Sequence, residues 1–160
     1  MKLGFKDFFL SVAEYATCLL IFWAVTIPIH EFAHLQVLRW LGGNGHIIIT
    51  WYGAAVVFTK QPTNPFLTAL AGGISVVAIY AILFFWDWVD GDYEEAVSLL
   101  PFIFSQFLYA LLEAFFIFSM PFGIFHKWAS VVMTAGIVTG TLMGLYILWR
   151  VKWKEAFKFG

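Results

Sequence analysis

The chain has 160 residues, of which 62% are hydrophobic and 12% charged, with a mean hydropathy of +0.86. A soluble domain is nearer half apolar and a quarter charged, so this composition excludes one and points to an integral, multi-pass protein of the lipid bilayer. A net charge of −1 leaves no basic face for nucleic acid, and the single cysteine, Cys18, excludes an internal disulfide or a cysteine-rich metal site.

A membrane crossing needs about 20 apolar residues, and four can be drawn. The predicted architecture is an α-helical membrane protein in one domain. The first span covers residues 8–41, longer than one crossing, so its start is expected to lie along the interface. Lys2 and Lys6 give it a basic start, but Glu14 interrupts the apolar stretch, so a retained helix is expected rather than a cleaved signal peptide.

This span holds His30-Glu31-Phe32-Ala33-His34, an H-E-x-x-H pattern. Residues four apart share a helix face, so His30 and His34 can aim two imidazoles at one metal ion. Glu31 stands beside them, placed to act as a general base on a metal-activated water. Ionisable groups inside an apolar span are costly and mark a functional site. The competing reading is a hydrogen-bonded polar cluster that holds helices together. Pro28, two residues earlier, removes a backbone donor. It predicts either a kink that lets water in or a plain packing bend.

Gly42-Gly43-Asn44-Gly45 breaks the helix. Residues 46–59 are rich in Ile, Val, Thr, Trp and Tyr, which favour strands, with a turn expected at Trp51-Tyr52-Gly53. A β-hairpin or re-entrant segment is predicted, and it must pack on protein or lie at the interface. Pro62 and Pro65 end it. The second span is predicted over 66–86, with a small-residue patch at Ala71, Gly72, Gly73 and Ser75 that suits packing against the metal-bearing helix. Five acids, Asp87, Asp90, Asp92, Glu94 and Glu95, read as a solvated loop over 87–95.

The third span is predicted over 99–120 and contains one acid, Glu113. Catalytic zinc normally takes three protein ligands and a water, so a third ligand must come from outside the first span. Glu113 is the leading candidate, because a lone carboxylate there needs a cation or a proton. His126, nearer the aqueous boundary, and His46, after the glycine break, are the alternatives; Glu14 is too far along the first helix. Gln106 and Tyr109 lie seven and four residues before Glu113, on roughly its face. Each either orients a ligand, donates to an oxyanion or makes a packing hydrogen bond.

Pro121-Phe122-Gly123 turns the chain into a fourth span over 128–149. Gly136, Gly140 and Gly144 are spaced for close approach of another helix, in this chain or in a second copy as a homo-oligomer. Arg150, Lys152, Lys154 and Lys158 follow. With Lys2 and Lys6 they outnumber Arg39, Lys60 and Lys127 on the other side, which predicts both termini in the cytoplasm.

The order of these parts resembles the site-2 protease family of intramembrane zinc metalloproteases. In that family a helix carrying H-E-x-x-H is followed by a hairpin or re-entrant segment and two further core helices. His30 to His34, the strand-like 46–59 and Ala71-Gly72-Gly73 match that order, over about residues 21–127. The family's usual Gly-Pro pair with a following Asn is replaced by Gly72-Gly73-Ile74-Ser75-Val76, and its Asp-Gly motif has no counterpart in Pro121-Phe122-Gly123. The resemblance therefore implies a divergent zinc endopeptidase acting on membrane-protein or peptide substrates. Zn²⁺ would be held by His30, His34 and Glu113, with Glu31 as the base. A non-catalytic metal-binding scaffold or chaperone and a metal or proton transporter are the alternatives from other functional classes.

Overall fold

The computed structural model describes residues 5–50 and 53–157. Its elements are α1 (Phe5–Trp40), β1 (Asn44–Thr50), β2 (Gly53–Lys60), α2 (Pro65–Asp90), α3 (Tyr93–Ser98), α4 (Leu100–Phe116) and α5 (Phe122–Phe157). Four stretches are long and apolar enough to cross a membrane: Leu10–Trp40, Pro65–Asp90, Tyr93–Phe116 and Gly123–Val151. The predicted four-span helical architecture with a small hairpin after the first helix is the one observed.

The surface matches a lipid solvent. Trp40, Trp86 and Val89 are 85%, 68% and 82% exposed, where a water-soluble fold would bury such side chains. The interior is narrow. Phe22 of α1, Val76 and Tyr80 of α2, and Leu99 and Phe102 at the head of α4 form one cluster. Tyr15, Val97, Leu100 and Leu148 form a second.

Helix α1 has 36 residues, about 54 Å at 1.5 Å per residue, and so outruns the roughly 30 Å apolar layer, as its sequence predicts. It passes through Pro28 and stays helical on both sides. It ends where Gly42 takes a φ of 75°, a left-handed conformation that glycine adopts freely. Gly43 N–H donates to the Leu38 carbonyl at 2.9 Å. The hairpin then pairs Ile47 with Val56 and Ile49 with Ala54 in antiparallel register. Its exit is tied back to α1, because Thr63 donates to the Leu41 carbonyl from both its backbone N–H and its hydroxyl. The turn expected at Trp51-Tyr52-Gly53 involves Trp51 and Tyr52, which lie outside the described residues.

Several boundaries differ from the sequence reading. Asn64 caps α2 by accepting from the Leu67 N–H, Pro65 occupies the first turn, and α2 continues to Asp90 before Gly91 ends it with a φ of 91°. The acidic stretch is therefore not a loop. Asp87 and Asp90 ride on the last turns of α2, and Glu94 and Glu95 sit in the first turn of α3, where carboxylates complement the helix dipole. The third crossing is made of α3 and α4 end to end. Pro101 has no N–H to continue the helical ladder, and tighter bonds bridge the joint: Leu99 N–H to the Ala96 carbonyl and Phe102 N–H to the Leu99 carbonyl. Finally, α5 begins at Phe122 rather than near 128. The Pro121 carbonyl accepts from Ile124 and Phe125, so this proline opens the helix. The helix also runs on to Phe157, past Arg150, Lys152 and Lys154, while Lys158 lies outside the described residues.

The glycine steps of α5 are used within the chain. A Cβ at Gly136 would meet the Ser105 backbone, at Gly140 the backbone of Pro101 and Leu100, and at Gly144 the Val97 carbonyl. The small-residue face thus lies on α3 and α4 of the same chain, the neighbour that an oligomer would otherwise supply.

Candidate metal centre

Three helices converge on one point. The i, i+4 spacing on α1 puts His30 and His34 on the same face, with ring centroids 4.6 Å apart. Helix α4 brings Glu113 against them. All three side chains are buried, at 6%, 6% and 7% exposure. Glu113 Oε2 lies 3.5 Å from His30 Nε2 and 3.3 Å from His34 Nε2, and the two Nε2 atoms are 2.9 Å apart.

The opposite sides of the rings explain why these atoms face each other. His34 Nδ1 lies 2.6 Å from the Thr68 carbonyl oxygen. A carbonyl can only accept, so Nδ1 carries the proton and, in the neutral ring, Nε2 carries a lone pair. His30 Nδ1 lies 2.7 Å from Gln106 Oε1 and is set the same way. Two lone pairs and a carboxylate oxygen therefore point at a shared volume. Glu113 Oε2 is buried there and makes no hydrogen bond among the described residues. Such an arrangement is repulsive unless a cation or a proton occupies the centre.

The donor set fits a divalent ion. Ligand bonds of about 2.0–2.1 Å in a tetrahedron give ligand separations of about 3.3–3.4 Å. The observed 3.3 and 3.5 Å edges agree, and the 2.9 Å edge needs only a small opening of the two rings. All three residues offer ligand atoms within 4.8 Å of one another. Glycine makes room for the cluster. A Cβ at Gly72 of α2 would run into both His34 Nε2 and His30 Nε2, while one at Gly73 would strike the Gln106 backbone and Ala110 of α4. Gly72 and Gly73 in the second span are thus the surface on which α1 and α4 close.

Glu31 sits differently. It is half-buried and lines a cleft of about 140 Å³ with Thr26, Ile27, His30, Ala54, Gln106, Tyr109 and Met133. The cleft is walled by α1 and α5, floored by α4 and rimmed by the start of β2. Away from the cleft the two walls meet through side chains, with Tyr15 of α1 packed in one cluster with Leu148 of α5. Tyr109 packs its ring 5.5 Å from that of His30.

The alternative ligands are not brought to the centre. His126 is exposed on α5, and His46 is exposed on β1, paired with Val57. Glu14 is exposed near the start of α1. A buried polar group outside the sequence reading also appears. The hydroxyls of Thr26 and Tyr80 both reach the Phe22 carbonyl, at 2.7 and 3.0 Å, and lie 2.9 Å from each other. They tie α1 to α2 just below Pro28. Thr26 and Tyr80 lie in separate spans, and nothing in their local sequence pairs them.

A scan against family models finds no match, and neither curated proteins nor solved structures give one.

Proposed function

We propose that this chain is an intramembrane metallopeptidase, with zinc as its ion. The observation that carries the reading is the juxtaposition of two carboxylates in different surroundings. Glu113 is buried against two imidazole lone pairs, while Glu31, next in sequence to His30, faces a cleft. Two nitrogens and one carboxylate oxygen are a common catalytic zinc set, with one position left for water. A zinc ion bound there supplies Lewis acidity toward a peptide carbonyl and lowers the pKa of water toward neutrality.

The chain's own residues do the rest. Glu31 takes the proton from the attacking water and delivers it to the leaving amine. His30 and His34, fixed through their Nδ1 protons, hold the centre still. The hairpin carries Ala54 to the rim of the cleft, where an unwound substrate segment can lie extended and pair with the edge of β2. The cleft opens between Glu31 of α1 and Met133 of α5, and a membrane-embedded segment enters there. The order of parts also supports kinship with site-2 proteases: an H-E-x-x-H helix, a hairpin, then core helices closing on it. The excess of Lys and Arg at the termini supports a cytoplasmic location for both ends.

The test compares membranes carrying the wild-type chain with membranes carrying Glu31→Gln, by mass spectrometry of released peptides. Peptides with ends inside apolar segments are expected from the wild type alone. Identical peptide sets at equal protein and metal content would refute proteolysis.

A further inference from the structure

The two histidines are held by unlike partners, and that difference is informative. His34 Nδ1 meets the main-chain oxygen of Thr68, which no substitution removes. His30 Nδ1 meets Gln106 Oε1, a side-chain acceptor that the fold places there by choice of residue. Gln106 is 4% exposed, on α4 two turns before Glu113, and it also borders the cleft. One helix thus delivers both the carboxylate of the centre and the group that turns an imidazole toward it.

We propose that Gln106 is a positioning residue for the metal centre: its side-chain oxygen fixes the tautomer and ring angle of His30, so that Nε2 presents its lone pair to the ion. This rests on the metal-centre reading. Without the acceptor, His30 has two ways to relax. It can move its proton to Nε2, which blocks coordination, or it can keep a buried N–H without a partner, which carries a desolvation penalty. Either route weakens the ion's hold while leaving the helix intact. Partners behind metal-bound histidines are typically worth about 10- to 100-fold in affinity.

A carboxylate at the same place accepts the same proton, so Gln106→Glu keeps the function that Gln106→Met removes. Methionine has nearly the length of glutamine and is apolar, so it preserves the packing of α4. A purely structural role predicts the reverse pattern. Methionine would be tolerated in this apolar site, and a buried carboxylate would be the damaging change.

The experiment measures zinc affinity of the purified full chain in detergent by competition with a chromophoric chelator, together with the visible spectrum of the Co²⁺-loaded protein. Wild type is expected to bind zinc tightly. Gln106→Met should bind about 10- to 100-fold more weakly, with an altered Co²⁺ spectrum, and Gln106→Glu should bind as tightly as wild type or more so. Gln106→Met binding like wild type would overturn the proposal, as would Gln106→Glu losing metal. The second variant decides the matter if the first does not fold. Failure of the wild type itself to bind zinc would instead refute the metal centre.

Discussion

Gly72 is where a single methyl group tests the geometry most sharply. Its added Cβ would lie 2.6 Å from His30 Nε2 and closer still to His34 Nε2, well inside the ~3.5 Å at which carbon atoms pack best. Both Nε2 atoms face this space, and a bound ion needs it. Relief requires α2 to back away or the imidazoles to turn, and overpacking of this kind costs about 1–3 kcal/mol. If that cost falls on the bound state, zinc affinity drops roughly 5- to 150-fold, since 1.4 kcal/mol is a factor of ten. Gly73→Ala is the informative comparison. Its Cβ would strike the Gln106 carbonyl and Ala110, so its effect should appear as weaker helix packing. Gly123→Ala, with nothing within 4 Å, is the neutral control. Chelator competition on the three variants, with far-ultraviolet circular dichroism to confirm folding, is the assay. A folded Gly72→Ala protein that binds zinc as tightly as wild type would refute the placement of α2 over the histidines.

Other substitutions separate the remaining elements. Glu31→Gln should retain zinc but lower peptide hydrolysis by about 10²- to 10⁴-fold, and equal loss of metal would show that Glu31 is a ligand rather than the base. Tyr80→Phe removes the hydroxyl that reaches the Phe22 carbonyl and Thr26. It should lower stability in detergent by about 1 kcal/mol, read as an earlier unfolding midpoint, with zinc affinity kept. An unchanged midpoint would show that this polar cluster contributes nothing to joining α1 and α2. Gly140→Val places a branched side chain against the backbone of Pro101 and Leu100. It should destabilise the monomer, whereas a shift from dimer to monomer in analytical ultracentrifugation would assign the glycine face to a second copy.

The parts legible in the sequence were those set by strong local rules. The i, i+4 histidines could only share a helix face, and Glu113 stood out as the lone acid of its span. Gln106 and Tyr109 were visible by spacing from Glu113, although spacing alone left packing and ligand orientation unresolved. The Thr68 carbonyl that holds His34 was beyond reach, because every residue has a carbonyl and only the tertiary fold selects one. The acidic stretch misleads because a run of charge suggests a loop: Asp90, Asp92 and Glu95 are exposed as expected, but most of the stretch is helical. Asp87 and Asp90 end α2 against the Gly91 cap, and Glu94 and Glu95 open α3, where the helix dipole favours carboxylates. Pro121 misled in a similar way, since a proline that ends one helix can also supply the first turn of the next.

The central claim is that His30, His34 and Glu113 form one metal centre. Elemental analysis of the purified chain tests it directly, comparing wild type with Glu113→Ala and His126→Ala. The account predicts stoichiometric zinc in the wild type and in His126→Ala and its loss from Glu113→Ala. A metal-free wild type, or full occupancy in Glu113→Ala, would contradict it.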